Sequence, residues 1–405
     1  MTRVDALSVS PYRRSSFEFD TIDADTADAA GAQIGDLFQE SRTKPFAVLR
    51  IVTTPARFRA FAGDTPAPGD WFFLEIEPRG LRPGLMTWHA QLGPAGYSSH
   101  SRGVTVDARR LTSEDDEPRR PRSLGAAVAP QTMLPQHVSQ ISQLPSVAAS
   151  GPAIHAALGK LIAPAAVIVR DVGQASFTSL VDGQGRALIH FDVGFPISFN
   201  KHTFPNAFKC DPTERPLVVL SHWDWDHLHA AFALRHLHQC TWITPHQRIG
   251  PGAARLALIL AGKGNLLVWP AGAGVGFPGG TLMACTGTTN QNDTGLALHV
   301  TLASGRTALL TGDADYQCLP ATIAALGPVS HLIATHHGAR FHSAVTHIPK
   351  PAAPGRRLVL SYGSGNVYRH PHPEALQAHA TAGWQQWIAT AGQKGGPPRG
   401  DRQLG

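Results

Sequence analysis

The sequence lacks several features that would place it in a class at once. No apolar run approaches the roughly 18 residues that span a bilayer, and residues 1–14 lack the apolar segment of a signal peptide. None of the four cysteines forms a Cys-x-x-Cys pair, which argues against a zinc knuckle or a redox dithiol. We therefore expect a cytoplasmic protein without a membrane partner, whose cysteines are free thiols.

Long runs of lysine or arginine are also missing, although the formal net charge is +6. A basic surface suits an anionic substrate such as a nucleic acid, but dispersed charge does not single one out. Hydrophobic residues make up 42% of the chain, which is ordinary for a globular protein. The 40 glycines and 32 prolines predict many loops.

The 405 residues exceed one average domain, and their texture changes along the chain. We expect a β-rich N-terminal module of unknown role over residues 1–111, which could recruit a protein partner. Residues 112–160 mix charges with prolines and predict a linker. A catalytic domain is predicted over 161–390, followed by a flexible tail over 391–405.

From about residue 164, short apolar runs alternate with turn signals and helical stretches. The segments FTSLV and ALIHFDVG flank DGQG, and LALHVTL and TALLTGD flank ASGR, so each pair predicts a β-hairpin. LHAAFALRHLH and RIGPGAARLALILAGK are typical of helices. These elements predict an α/β (α+β) domain in which two sheets pack together with helices outside.

The segment SHWDWDHLH carries the strongest chemical signal. His222, Asp224, Asp226 and His227 follow directly after the apolar strand LVVL. Alternate residues of an extended chain share one face, and a turn into a helix brings His227 beside Asp226. Imidazole and carboxylate groups favour Zn²⁺, with Mn²⁺ or Fe²⁺ as alternatives. The segment therefore predicts a metal site.

HWDWDH resembles the H-x-H-x-D-H signature of the metallo-β-lactamase fold, with Asp224 in place of the usual second histidine. This variant is similar to that of the ComEC-type competence nuclease domain. Further segments resemble that group in order: RDVGQASFTSLVDG, HFDVG, LLTGDAD, THHG and SYGSGNVYRHPHPE. The resemblance covers residues 165–390 and departs from the pattern at Ala175 and Ser176, where the group usually carries Gly-Asp.

The resemblance implies a four-layer αββα sandwich with an N-terminal β-rich extension, holding two divalent metal ions. It implies that His222 and Asp224 hold the first ion, that Asp226 and His227 hold the second, and that Asp313 bridges both.

The segment THHG supplies one more ligand by the same resemblance. His337 is expected on the second ion, with His336 beside it as a proton donor that Asp315 positions; the order of the two histidines could be reversed. Asp226 is counted with Asp315 and His336 among the catalytic residues. The loop TGTTNQNDTG contains no histidine for the first ion, so Asn292 or Asp293 is expected to reach it.

Other polar residues have both a functional and a structural interpretation. Asp192 and Asp171, at strand ends, either orient ligand histidines or form turns. A substrate-binding role, with arginine and histidine gripping a phosphate, is expected for four residues of the last motif. They are Asn366, Arg369, His370 and His372.

Two metal ions that share a hydroxide would provide a nucleophile for hydrolysis. The leading hypothesis is a phosphodiesterase or nuclease that acts on DNA or RNA. Two alternatives stay open, because one fold hosts many reactions. One is a hydrolase of a small ester, lactone or thioester; the other is a non-catalytic scaffold whose N-terminal module recruits a partner.

Overall fold

A computed structural model describes residues 1–8, 15–78, 82–97, 100–111, 142–145, 150–270, 272, 274–288, 290–352, 356–393 and 395–405. The chain divides into two compact units. The first comprises Met1–Pro145 with Arg248–Ile259, and the second comprises Ser146–Gln247 with Leu260–Gly405. Within the described ranges, every helix is too short or too polar to span a bilayer.

The first unit is built around one antiparallel sheet whose pairings close into a ring. Its strands are β1 (Thr2–Ser8), β2 (Ser15–Ile22), β3 (Phe46–Thr53), β4 (Trp71–Pro78), β5 (Leu85–Gly93), β6 (Gly96–Tyr97) and β7 (Ser101–Arg110). The order β3-β2-β1-β4-β7-β5 is closed by pairing of β3 with β5. Phe17, Ile51 and Phe72 fill the interior together with Phe58, which comes from a helix.

One segment of the predicted catalytic domain belongs to this first unit. The Asp20 carboxylate accepts hydrogen bonds from the backbone N–H groups of Gly252 and Ala253, in the first turn of a helix. Such a carboxylate satisfies the unpaired donors at a helix N-terminus. The Arg255 guanidinium donates to the backbone carbonyl of Glu40. The expected domain of 161–390 is therefore not one continuous structural unit.

The second unit contains two seven-stranded sheets. The second sheet has the order β13-β12-β11-β10-β9-β8-β21, with strands β8 (Ala166–Val169), β9 (Phe177–Val181), β10 (Ala187–Val193), β11 (Leu217–Val219), β12 (Trp242–Thr244), β13 (Leu266–Val268) and β21 (Arg402–Leu404). The third sheet has the order β14-β15-β16-β17-β18-β19-β20, with strands β14 (Val275–Phe277), β15 (Gly280–Ala284), β16 (Leu296–Thr301), β17 (Thr307–Leu310), β18 (His331–Ile333), β19 (Arg357–Leu360) and β20 (Trp387–Ala389). β10 to β13 are mutually parallel, and so are β17 to β20.

The two sheets of this unit pack face to face. Alternate residues of β10 and β11, such as Ile189 and Val219, share one buried cluster with Leu298 and Leu310 of the third sheet. Because successive side chains of a strand point to opposite faces, the residues between them face outward onto helices. Leu309 of β17 lies in a separate outer cluster.

Short helices cover these outer faces. The α-helices in the described part of the chain are α1 (Ala24–Ala30), α2 (Pro55–Ala62), α3 (Ser150–Leu158), α4 (Trp225–Leu228), α5 (Ala230–Ala233), α6 (Pro251–Gly262), α7 (Ala321–Ala325) and α8 (Pro373–Thr381). On the second sheet, the Trp242 indole donates to the Leu237 carbonyl of the 3-10 helix Arg235–Gln239. On the third, Ile323 of α7 and Leu376 of α8 join the outer cluster. The predicted αββα sandwich is confirmed.

Both predicted hairpins form, as β9 with β10 and β16 with β17. Two predictions at the ends of the domain are wrong in part. Residues 112–141 of the expected linker lie outside the described residues, but α3 buries Ile154 and Leu158 between the sheets. The expected flexible tail contains β21, which pairs with β8 and buries Leu404 in the same cluster.

Candidate metal centre

A cluster of histidines and aspartates lies at the carboxyl ends of the parallel strands of both sheets. Asp192 is in the end of β10, and His222 follows β11. Asp313 and His337 come after β17 and β18. The carboxyl ends of neighbouring parallel strands meet at one edge of a sheet, which is where open α/β sheets bind ligands.

The HWDWDH segment folds as a turn into a short helix. Asp224 is the N-cap of α4, and its carboxylate accepts a hydrogen bond of 2.6 Å from the Trp225 N–H. This cap turns the chain so that Asp226 and His227 both lie in α4 beside His222. A Cβ at Gly194 would lie 1.6 Å from the Asp226 carbonyl oxygen, so only glycine allows this approach.

Within the described residues, two sets of side chains bring three ligand atoms within 4.8 Å of one another. The Asp226 group consists of Asp226, His227 and His337, and the His222 group consists of His222, His227 and Asp313. His227 belongs to both. The structure thus brings together five of the seven sequence-predicted metal ligands.

In the Asp226 group, the Nε2 atoms of both histidine rings lie close to carboxylate oxygens. The His337 Nε2 lies 3.1 Å from Asp226 Oδ2, and the His227 Nε2 lies 3.7 Å from Asp226 Oδ1. The Asp313 Oδ1 is 3.1 Å from the same His227 nitrogen. The three residues of the Asp226 group match in number the protein ligands of a catalytic zinc site, which keeps its fourth position open for water.

In the His222 group, the His222 Nε2 lies 4.0 Å from Asp313 Oδ2 and 3.9 Å from Asp224 Oδ2. Asp313 therefore presents one oxygen to His227 and the other to His222. A carboxylate that faces two groups of ligands through its two oxygens has the arrangement needed to bridge two ions.

Buried acceptors hold the far side of each ligand histidine. The fully buried Asp192 accepts 2.8 Å from His227 Nδ1 and 2.9 Å from the Ser221 hydroxyl, which in turn lies 3.0 Å from His222 Nδ1. The His337 Nδ1–H donates to the Ser361 carbonyl at 2.7 Å. Each ring therefore presents its Nε2 to the cluster, and such partners orient metal-binding histidines and raise their basicity.

The donor set fits divalent ions. The Nε2 atoms of His222 and His227 are buried with no hydrogen-bond partner among the described residues, a loss of about 1–3 kcal/mol each unless a donor or a metal ion meets the lone pair. Burial lowers the pKa of His222 to about 3, so its ring is neutral at pH 7. Burial opposes protonation of His227, but Asp313 and the other carboxylates outweigh it and raise its pKa. The pocket therefore has an excess of negative charge, which a divalent cation would neutralise.

The THHG segment forms a turn with unusual backbone angles. His336 and His337 have φ values of 48° and 56°, a conformation that non-glycine residues seldom adopt and that costs roughly 1–3 kcal/mol each. The buried Tyr316 hydroxyl accepts from the Thr335 N–H at 3.3 Å and lies 2.7 Å from His379 Nε2. This contact holds the start of the turn.

The turn separates its two histidines. His337 is buried in the Asp226 group, whereas the side chain of His336 is 40% exposed, with its Nε2 3.3 Å from Asp313 Oδ2. The expected role of Asp315 as the partner of His336 is wrong. Its carboxylate accepts from the N–H of His342 and from the N–H and hydroxyl of Ser343, so it holds the following loop instead.

The loop expected to complete the first site is held by amides. Gln247 accepts from the Trp223 N–H and donates to the Gln291 carbonyl, and Gln291 donates to the Trp223 carbonyl. Asp293 accepts from the Asp315 N–H at 2.8 Å. The hydrogen bond of Asn292 runs from its backbone N–H to Asn290. The structure thus brings this loop to the HWDWDH turn without bringing Asn292 into the cluster.

The loop of the motif SYGSGNVYRHPHPE lies beside His336 and forms, with it, what is here called the rim of the metal centre. The rings of His370 and His336 lie 5.6 Å apart, and His370 and His372 lie 5.3 Å apart. Arg369 is exposed. The side chain of Asn366, for which a substrate contact was expected, bonds to the backbone of Gly363 and His370.

The roles of two aspartates were open from the sequence, and two serines that support the site were not predicted. Asp192 supports His227, whereas Asp171 pairs with Arg399 and accepts from the Gly173 N–H, which is a turn role. Ser221 and Ser361 lie at the ends of β11 and β19, and their position directly after apolar strands was the available signal.

No family model and no curated protein matches the sequence. Among solved structures, Zn²⁺-bound PqqB from Methylobacterium extorquens is 10% identical, with 59% of this chain and 99% of that chain covered and a TM-score of 0.37. A possible metal-dependent hydrolase from Veillonella parvula is 12% identical, with coverage of 60% and 99% and a TM-score of 0.33. An N-acyl homoserine lactone hydrolase is 16% identical, with coverage of 38% and 74% and a TM-score of 0.25. These low values carry no argument about substrate.

Proposed function

We propose that the chain is a metal-dependent hydrolase and that its substrate is a phosphodiester. The observation that carries the proposal is the supported donor set: three buried imidazoles whose Nε2 atoms face two carboxylates. Asp226, His227 and His337 would hold one ion, His222 and Asp224 the other, and Asp313 would contact both. Bound divalent ions supply positive charge at the attacked group and lower the pKa of water.

The residues of the chain divide the remaining work. Asp192 and the Ser361 carbonyl keep the histidine rings in the orientation that leaves Nε2 free. His336 lies at the rim, half exposed and 3.3 Å from Asp313, so its Nε2 can carry a proton to a leaving group.

The choice of a phosphodiester rests on the charges of the rim. Arg369 is exposed next to His370, whose ring packs near His336 and His337. Lys201 is exposed, and the neighbouring His202 contacts the Gly365 carbonyl of the same loop. Cationic side chains beside a hydrolytic site favour an anionic substrate, and the net charge of +6 is compatible with nucleic acid.

A substrate panel tests both parts of the proposal. The full-length protein, reconstituted separately with Zn²⁺ and Mn²⁺, is assayed on bis-p-nitrophenyl phosphate, single-stranded DNA and RNA, an acyl lactone and an acyl thioester. We expect turnover of the phosphodiesters that Asp313→Ala abolishes. Turnover of the lactone or thioester alone would refute the substrate class, and a metal-loaded protein inactive on the whole panel would refute the enzyme.

A further inference from the structure

The buried side chain of Gln174 connects two loops beside the metal centre. Its residue lies in the loop between β8 and β9, where the backbone N–H donates to the Thr203 hydroxyl at 2.9 Å. The side-chain Oε1 accepts from the Gly363 N–H at 3.4 Å, and the side-chain Nε2 lies 3.2 Å from His370 Nδ1. One amide therefore joins the loop before β9 to the loop that forms the rim.

These two contacts determine which way the Gln174 amide faces. A backbone N–H can only donate, so the atom that faces Gly363 must be the side-chain oxygen. The side-chain nitrogen then faces His370, and because an amide nitrogen also only donates, Nδ1 of His370 must accept. A neutral imidazole that accepts at Nδ1 carries its proton on Nε2.

Close packing holds the partners of this amide in place. A Cβ at Gly363 would lie 2.7 Å from the Gln174 backbone nitrogen and 2.3 Å from the Thr203 Cβ, so only glycine fits there. Asn366 links Gly363 to His370, because its side-chain nitrogen donates to both carbonyls and its oxygen accepts from the His370 N–H. The backbone and Gln174 together therefore fix the position of Nδ1.

The other nitrogen of the His370 ring is available to a bound molecule. The two nitrogens of an imidazole lie on different sides of the ring, so Nε2 faces away from Gln174, and the ring is partly exposed. It lies parallel to the His337 ring, with centroids 6.2 Å apart, and nearly perpendicular to the His336 ring at 5.6 Å. Within the described part of the chain, the hydrogen bond to Gln174 is the one that this ring makes.

We propose that Gln174 is a positioning residue that holds His370 as a neutral hydrogen-bond donor to the substrate. This role rests on the proposed hydrolysis of phosphodiesters at the metal centre. The Nε2–H would donate to a non-bridging phosphate oxygen, and a donor fixed before the reaction stabilises charge in the transition state without reorganising. With a proton on Nε2, His370 has no free lone pair for a metal ion, and neither group of potential ligands contains it.

Nitrogen-15 spectroscopy of the full-length protein, labelled at histidine and loaded with Zn²⁺, tests the tautomer directly. The His370 signals are assigned by their loss in His370→Gln. We expect a protonated Nε2 and an unprotonated Nδ1 in the parent protein. Gln174→Glu keeps the length of the side chain and the acceptor for Gly363, but its carboxylate only accepts, so it should place a proton on Nδ1. Gln377→Glu, the same change at an exposed position of α8, should leave the His370 signals unaltered.

Turnover of bis-p-nitrophenyl phosphate tests whether the donor contributes to the reaction. His370→Asn has no donor at the position of Nε2 and should lower kcat roughly 10²–10³-fold. His370→Gln carries an amide nitrogen near that position and should recover roughly tenfold of the loss, which a purely structural role would not predict. Gln174→Glu should lower kcat in the parent protein and cause no further loss in His370→Asn, because it acts through that ring.

Three results would overturn the role of Gln174. They are a protonated Nδ1 in the parent protein, an unchanged tautomer in Gln174→Glu, and an additive loss of kcat in the double variant. The first two do not depend on turnover, so they decide the question even if the protein hydrolyses no phosphodiester. Phosphodiester turnover with a protonated Nδ1 would refute this role alone and leave the proposed function standing. If Gln174→Glu does not fold, the parent spectrum and the comparison of His370→Gln with His370→Asn still decide.

Discussion

The two groups of the metal centre share His227 but differ in how the protein supports their histidines. In the Asp226 group, the second nitrogens of both histidines bond to a buried carboxylate or carbonyl at 2.7–2.8 Å. In the His222 group, the supporting partner is the Ser221 hydroxyl at 3.0 Å, and Asp224 also caps α4. A ligand that is oriented before binding loses less freedom when the ion arrives. We therefore expect the Asp226 group to bind its ion more tightly.

The loop TGTTNQNDTG, near the His222 group, adds to this difference between the two groups. Its amides hold the backbone of Trp223, so their polar atoms serve the shape of the HWDWDH turn. Gln247 and Gln291 therefore position the backbone of this turn. From this difference in support we expect one ligand-rich sequence motif to yield two sites of unequal affinity.

The largest expected effect comes from Asp313, which serves both groups. Asp313→Ala should remove charge compensation from both ions and lower turnover by several orders of magnitude, on the order of 4 kcal/mol or more in barrier. Asp313→Asn keeps the volume of the side chain and should show the same loss. Rate and metal content are measured together, and full metal with full activity in either variant would contradict the bridging role.

The two histidines of the THHG turn should separate binding from catalysis. His337→Ala should lose the ion of the Asp226 group. His336→Ala should keep both ions and turn over roughly 10²–10⁴-fold more slowly, because it loses a proton carrier. Metal analysis with kcat and its pH profile distinguishes them, and loss of metal in His336→Ala alone would reverse the assignment.

Buried histidines outside the cluster should make the metal-free protein sensitive to acid. Burial lowers the pKa values of His229 and His379 to about 4, below the unfolded value of about 6.5. Their stabilising contribution is present above pH 6.5 and is lost as pH falls toward 4, by about 3 kcal/mol for each histidine at pH 4. Urea unfolding of the metal-free protein at pH 7 and pH 5 measures this loss of unfolding free energy. Equal free energies of unfolding at the two pH values would contradict the expected acid sensitivity.

A smaller effect is expected from the pair that supports the THHG turn. Tyr316→Phe removes the bond to His379 Nε2 and leaves the Thr335 N–H without its acceptor. We expect roughly tenfold weaker metal binding in the Asp226 group. His379→Phe breaks the same bond but leaves the Thr335 N–H its acceptor, so it should weaken metal binding less than Tyr316→Phe. Unchanged metal affinity in both variants would show that the pair is not needed.

Much of this arrangement could be predicted from the sequence because the motifs are local. The hairpins could be predicted because each turn lies directly between its two strands in the sequence. The ligands of HWDWDH could be predicted because they lie within six consecutive residues. The partner of Asp315 could not be predicted, since it depends on where the chain from His342 to Ser343 returns after the THHG turn. β21 was missed for a related reason, because a strand in a polar C-terminal segment is defined by its pairing with the distant β8.

For Asn366, the sequence suggested a functional role where the structure shows a structural one. Polar residues in a glycine-containing loop near a site suggest substrate contact, yet the side chain serves the loop itself. A short polar side chain that can bond to nearby backbone has both uses, and the sequence alone does not choose between them.

Anomalous diffraction from crystals of the Zn²⁺-loaded protein would show whether Asp313 bridges a binuclear centre. We expect two zinc peaks about 3.5–4 Å apart at the carboxyl ends of β11 and β17, one of them surrounded by Asp226, His227 and His337. The Asp313 carboxylate should contact both peaks. A single peak at saturating zinc, or two peaks with Asp313 bound to one alone, would contradict it.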